Sequence, residues 1–489
     1  MAEERLEEMR NMRLQKRETL IAAGKVPYPS EVRRTMPLID LVTNFETHMR
    51  SETAIVLLGR IQSIRSHGSI AFVDIVDESG KIQLQFMEQQ LQEKFADIEL
   101  FDAGDFIEAI GIPNLSKRGE KTIFVSAFSM ASKAIRPIPS TWFGLKDTET
   151  RSREREVDLL ANPDSKDVVK KRSQVMQFVR NYLQDKGFME VETPVLQAIA
   201  GGTLAEPFST HHNSLDADLF LRIAPELYLK RLLVGGFEKV FEIGKNFRNE
   251  GVDKSHNPEF TMLEFYEAYA DYEDLMDTAE DMISSAATKI TGNYDVPWGN
   301  ATISFAAPFQ RFSYVKLLEE RTGINVLEEK NPKAYLKVFA DKKITPPKNQ
   351  TYTKLVDELY KEIVRPTLQN PTILYDYPVE LVPLAKKNLS NPKVAEMFQL
   401  VVAGMEIVKA YTELNDPVEQ RKRFEEQQES RDAGDAEAHS IDEAYLKAME
   451  YGMPPAAGFG LGIDRLVMLL TNTPHLRDTI LFPLLKSEK

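Results

Sequence analysis

Residues 241–266 read FEIGKNFRNEGVDKSHNPEFTMLEFY, and the way this stretch folds decides how the rest of the chain is read. Two apolar runs flank a polar middle. Phe241, Ile243 and Phe247 space out the first run, and Met262, Leu263, Phe265 and Tyr266 make up the second. The middle holds Gly251, Asp253, Ser255, Asn257 and Pro258, all turn formers. The pattern predicts an antiparallel pair of strands joined by a long loop, and a long loop on a rigid pair is a common place for function. Arg248 offers a rigid fork for a carboxylate or a phosphate. Phe260 opens the return strand and offers a flat face to a base. Glu250, His256 and Asn257 lie between them.

Outward from this stretch, composition sets bounds. The 489 residues allow two or three domains and a large core. At 42% hydrophobic and 28% charged, the chain has the make-up of an ordinary globular protein. No apolar run reaches the length of a membrane span, and the N-terminus is charged with no apolar signal core, so a cytoplasmic protein without membrane association is expected. With no cysteine, disulfides, thiol catalysis and cysteine-ligated metals are excluded. A net charge of −14 speaks against nucleic-acid binding unless a local basic surface exists.

Residues 2–23 read as an exposed helix ended by Gly24, with Arg10, Arg13, Lys16 and Arg17 either solvated or available to phosphates. Over 54–130 the period changes to two. In KIQLQF, Ile82, Leu84 and Phe86 share one face and Gln83 and Gln85 the other. Five strands, with a helical piece at 88–97 between the third and fourth, suit an OB-fold barrel, a platform for single-stranded nucleic acid. Prolines and a charge run over 131–164 mark a boundary. An amphipathic helix at 165–186 turns Val168, Val169, Val175, Met176, Val179 and Leu183 inward and leads into a strand ending at Pro194. Glu226 reads as a carboxylate beside a proline-bent strand end. Residues 270–370 read as mostly helical with peripheral strands, with turns at TGNYDVPWGN and ITPPKNQ and no chemical motif. Glu406 and Glu413, seven apart, could bridge magnesium held mainly by phosphate oxygens, or could be two surface glutamates. Gly458, Gly460 and Gly462 alternate along a strand and leave one face open to a flat ligand, with Arg465 in the first turn of the next helix.

Three of these segments, in this order behind an OB-like domain, resemble the three signatures of class II aminoacyl-tRNA synthetases: the helix and strand ending at Pro194, FRNEG…HNPEF, and GFGLGIDR. The wording is similar to the bacterial-type lysyl-tRNA synthetases of subclass IIb. The resemblance implies an α+β multidomain chain. Its parts are an N-terminal helical extension (1–50), an OB-fold anticodon-binding domain (51–135) and a linker (136–164). A catalytic domain follows (165–489), an antiparallel sheet flanked by helices, with a helical insertion at about 285–370.

The same resemblance implies the activity, an ATP-dependent ligase joining L-lysine to tRNA(Lys) through lysyl-adenylate, as a homodimer meeting at Pro194. It makes Arg248 and Arg465 catalytic. It places ATP on Arg248, Glu250, His256, Asn257, Phe260, Glu406 and Arg465. It places lysine on Gly202, Glu226, Arg248, Glu264, Tyr266, Tyr411 and Glu413, with Glu264 and Tyr266 at the ε-ammonium and Glu226 at the α-ammonium. Two or three Mg2+ ions would accompany ATP on Glu406 and Glu413. Arg65, Phe72 and Gln83 would read the anticodon. The chain departs from the family pattern at Glu156, Glu206, Lys409 and Asp464, where the family commonly has aromatic, basic, asparagine and glutamate residues. Three rival readings are an aspartyl- or asparaginyl-type synthetase, a paralogue that attaches lysine-like groups to proteins, and a non-catalytic nucleic-acid-binding paralogue. Glu264 opposes the first, the barrel at 54–130 the second, and the pair Arg248 and Arg465 the third.

Overall fold

The computed structural model describes residues 2–138, 147–203, 205–432 and 441–486. It divides into two compact units, 1–147 with 156–162, and 148–155 with 163–489. Among the described residues, no helix is long and apolar enough to cross a membrane.

The first unit is a closed barrel of strands Ile55–His67, Ile70–Val76, Lys81–Met87, Lys121–Ser132 and Phe106–Leu115, in that spatial order. A short α-helix and a 3-10 helix over 88–100 separate the third and fourth strands in sequence, as expected. The barrel closes over Leu57, Val73, Ile75, Leu84, Phe86 and Val125, all fully or almost fully buried. Gln83 is buried as well, although the alternation puts it outside; its amide donates to Glu120 and accepts from Thr122, which satisfies it in the wall. The Ala2–Ala22 helix is attached to its own unit rather than free. Arg13 donates to the carbonyls of Ala103, Ala134 and Arg136, and Lys16 bonds Asp102 at 2.8 Å. Arg10 and Arg17 pair with Glu7 and Glu18. Each of the four cations has an internal partner, which weakens the reading of this helix as an arm for phosphates.

Part of the expected linker, 139–146, lies outside the described residues. Its described remainder is not extended: it holds the helices Thr148–Arg153 and Arg155–Ala161.

The second unit is built on an eight-stranded sheet. In spatial order the strands are Gln310–Ser313, Thr372–Pro378, Val394–Val402, Met405–Thr412, Ala456–Gly462, Glu259–Ala268, Lys239–Phe247 and Met189–Glu190. The pairs at the two edges are parallel and the inner ones antiparallel. The predicted pair is present, in unbroken register from Lys239↔Glu267 to Phe247↔Glu259. One face of the sheet carries Phe265 and Phe459, stacked at 4.5 Å, under the helices Pro163–Asp185, Tyr272–Thr291 and Ile463–Leu470. The other carries Val240 and Tyr266, under Glu226–Val234 and the helices of residues 314–364.

Several boundaries differ from those expected. Glu226 is the first residue of a helix, because Pro225 suits a helix start as well as a strand end. The strand before Pro194 is only Met189–Glu190. TGNYDVPWGN is not a bare turn: it begins a hairpin, Asp295–Trp298 with Ala301–Ser304. The Tyr272–Thr291 helix runs through residue 285, and the next helix begins at Tyr314.

Candidate active site

The sheet opens into a cavity because its middle strand lacks side chains on one face. Cross-strand register places Gly458 between Tyr266 and Tyr411, Gly460 between Glu264 and Lys409, and Gly462 beside Met262. Neighbouring strands lie about 4.8 Å apart, so each row leaves a gap of about 10 Å between functional side chains. The trough encloses about 1190 Å³, counting its open mouth. Gly202, Glu226, Arg248, Glu250, His256, Asn257, Phe260, Glu264, Tyr266, Glu406, Tyr411 and Arg465 all line it. Of the residues assigned by resemblance to ATP and lysine, only Glu413 is missing from the lining.

One end of the trough is cationic and aromatic. The Arg248 guanidinium lies 5.0 Å from the Phe260 ring centroid, and its Nε is buried with no partner. Arg465 donates to the Glu406 carbonyl at 2.7 Å and faces His256 Nε2 at 3.2 Å. His256 Nδ1 is 2.8 Å from Asp253, so the ring donates there and presents Nε2 as an acceptor to Arg465. Burial pushes both guanidinium pKa values down, and neighbouring acids oppose it. Arginine stays charged regardless, so these are two poorly solvated cations facing a cavity, an arrangement made for anions. Lys409 lines the same trough with no acidic partner among the described residues.

The other end is acidic. Glu264 is 5% exposed, and burial, with help from Glu226, raises its pKa to about 8. Tyr266 Oη donates to Glu264 at 3.2 Å, and Tyr411 Oη donates to Glu226 at 2.7 Å. Gly202, with a φ of +96°, packs against Glu226; a β-carbon there would come within 2.9 Å of it. Glu413 lies fully buried at the floor. Its Oε2 is paired with Lys230, while Oε1 has no partner and would be struck at 2.1 Å by a β-carbon on Gly458. Glu406 lines the arginine end of the trough, where its carbonyl accepts from Arg465. Glu413 has one oxygen against the Lys230 ammonium, and neither of its oxygens accepts a hydrogen bond from the described residues.

Two supports were missed in the sequence. Lys230 follows Glu226 by four residues, the helical ion-pair spacing, and was hidden by reading Glu226 as a strand end. Asp464 receives Arg172 and the Thr261 backbone N–H, which ties the helix bearing Arg465 to the strand bearing Phe260. In the barrel, Arg65 and Phe72 face each other across the first two strands, with Arg65 on Asp74 at 3.3 Å. Gln83 lies on the third strand beside Asp74, its amide taken by Glu120 and Thr122. Pro194 is exposed, followed by exposed Val195 and Leu196.

Comparison with known proteins identifies the family of each unit. The model of the family described as tRNA synthetases class II (D, K and N) matches residues 147–486, and that of the OB-fold nucleic acid binding domain matches residues 55–131. The chain is 45% identical to a Lysine–tRNA ligase of Carboxydothermus hydrogenoformans, over 99% of both chains. It is 44% identical to one of Clostridium perfringens, over 100% of this chain and 98% of that one. It is 45% identical to one of Dehalococcoides mccartyi, over 98% and 97%. With relatives this similar along their whole length and a family match over the entire site-bearing unit, the chain belongs to the class II tRNA synthetases of the D, K and N group.

Proposed function

We propose that the chain is a lysine–tRNA ligase. It activates L-lysine with ATP to lysyl-adenylate and pyrophosphate, then transfers lysine to the 3′-terminal ribose of tRNA(Lys). The observation that carries this reading is one trough lined by two arginines with no carboxylate partner among the described residues at one end and by the carboxylates Glu226 and Glu264 at the other, with Glu413 buried just beneath Gly458. An amino acid with two ammonium groups and one carboxylate fits it in a single orientation.

In the first step a lysine carboxylate oxygen attacks the α-phosphorus of ATP, and the bond to pyrophosphate breaks. No base is needed, because a carboxylate is already ionised at neutral pH. The obstacle is repulsion between two anions that must be held in line, so positioned cations do the work. Arg248 bridges the lysine carboxylate and the α-phosphate. Phe260 and Arg465 hold the adenine between them, and His256, steadied by Asp253, holds Arg465. In the second step the ribose hydroxyl attacks the lysyl carbonyl, and AMP leaves with the electron pair of the broken bond.

Magnesium supplies further charge neutralisation on the phosphates when bound, and Glu406 is its protein holder. Glu226 receives the α-ammonium, and Glu264, Tyr266 and the free oxygen of Glu413 receive the ε-ammonium. Arg65 and Phe72 meet the anticodon, and Gln83 joins them once its amide exchanges partners. The enzyme works in the cytoplasm as a homodimer, with Pro194 at the shared surface. The acidic end opposes an aspartyl or asparaginyl substrate, whose side chain would meet carboxylates.

The test is amino-acid-dependent ATP–pyrophosphate exchange across the twenty amino acids, with magnesium, with and without tRNA. Exchange with lysine alone is expected. Exchange with aspartate or asparagine, or with no amino acid under either condition, overturns the reading.

A further inference from the structure

Lys230, fully buried among the residues of the acidic end, has no role in the proposed reaction. It lies one turn into the Glu226–Val234 helix and is completely buried. Its Nζ is 2.5 Å from Glu226 Oε1, is paired with Glu413 Oε2, and sits 5.6 Å from the Tyr411 ring centroid. Each of these partners already belongs to the trough or its floor.

The charges can be counted. Glu226, Glu264 and Glu413 can contribute three negative charges to one buried cluster, and Lys230 contributes one positive charge. The excess is two. Lysine brings two ammonium groups, while its carboxylate goes to the arginine end. Three carboxylates without Lys230 would leave one uncompensated after lysine binds, an arrangement a buried site does not tolerate. Two carboxylates held by Lys230 are also fixed in place, Glu226 beside Tyr411 and Glu413 with one oxygen aimed at the floor.

We propose that Lys230 is a positioning residue and fixed internal counter-ion that sets the pocket's charge, so that two substrate ammonium groups neutralise it. This rests on the lysine-activating reading and deepens it. The substrate class that follows is an α-amino acid bearing a second, terminal ammonium group. Lys230 acts through Glu226 and Glu413 and does not touch the reacting atoms.

The test compares the full-length wild type with Lys230→Arg, Lys230→Met, Glu413→Gln and the double variant Lys230→Met with Glu413→Gln. Each is assayed by lysine-dependent ATP–pyrophosphate exchange, with KM for lysine and for ATP measured separately. Lys230→Met should lose about 30-fold or more in kcat/KM for lysine, with KM for ATP within about threefold of wild type. Lys230→Arg keeps the charge and should stay within about tenfold of wild type. The double variant again has an excess of two, so it should regain about tenfold over Lys230→Met and exceed Glu413→Gln alone, whose excess is one. If Lys230→Met does not fold, the comparison of the double variant with Glu413→Gln still decides. A double variant no better than either single variant overturns the proposal. So does equal loss toward ATP and lysine, or a Lys230→Met enzyme indistinguishable from wild type. A wild-type chain that exchanges with no diamino acid overturns the functional reading along with it.

Discussion

Glu264 shows how a single residue can serve function at the expense of stability. Its carboxyl is buried beside Glu226 and its pKa is raised to about 8, so at neutral pH it carries a proton. An incoming ammonium group must displace that proton, and lysine affinity should therefore improve as pH rises toward 8. The sign for stability is opposite. Between the ordinary carboxylate range and pH 8, the unfolded chain releases this proton and the folded chain keeps it, so folding weakens with rising pH across that window. Glu264→Gln should remove both effects. Lysine use should fall by about 100-fold or more with ATP affinity kept, and the melting temperature should rise more at pH 8 than at pH 5. Steady-state exchange and thermal melts at the two pH values check this; a melting gain independent of pH refutes the assignment. Gly458 supplies a second residue-scale contrast. A β-carbon there would lie 2.1 Å from Glu413 Oε1 and 2.4 Å from Tyr266, whereas at Gly460 the closest atom is the flexible end of Met262 at 3.3 Å. Gly458→Ala should abolish lysine-dependent exchange, while Gly460→Ala should remain folded and measurably active.

At the scale of elements, the strand pair of residues 239–268 was readable because alternation and turn formers agree, and its register puts Arg248 and Phe260 where the sequence implies. The glycine strand was readable as an open face, but its neighbours were not, since only cross-strand register reveals that Lys409 and Glu264 flank Gly460. Pro225 misled because proline suits a helix start as well as a strand end, and losing that helix start hid Lys230. Peripheral strands were legible within 270–370, but four-residue strands without alternation gave no way to place the hairpin at 295–304. The loop at 249–258 owes its shape to Asp253, which accepts from the Ser255 and His256 backbone N–H groups at 2.6 and 2.9 Å and from the His256 ring. Asp253→Ala should loosen the loop and free His256 from its tautomer. KM for ATP should then rise about tenfold, with KM for lysine little changed. Equal effects on the two constants would show that the loop serves the whole site rather than the ATP end.

At the scale of the whole molecule, the chain consists of two units, each with its own apolar core, and each matches a different family model. This division makes a functional separation testable without removing either part. In the proposed reaction adenylate formation takes place in the trough, and every residue lining the trough belongs to the second unit. Arg65 and Phe72 belong to the first, facing each other on paired strands, and Arg65 is exposed apart from its contact with Asp74. If the barrel reads the anticodon, Phe72→Ala should lose the stacking of one base, about 1–3 kcal/mol, or roughly 5- to 150-fold in kcat/KM for tRNA. Arg65→Ala should weaken tRNA use and lower its salt dependence, since a cation near the backbone or base edges is removed. Neither change should move lysine-dependent exchange, because neither side chain touches the trough. The two assays on the same preparations separate the possibilities. Loss of aminoacylation with exchange intact assigns these residues to tRNA. Loss of both assigns Phe72 to the stability of the barrel, and its half-buried ring makes a melting curve the control that tells packing from recognition.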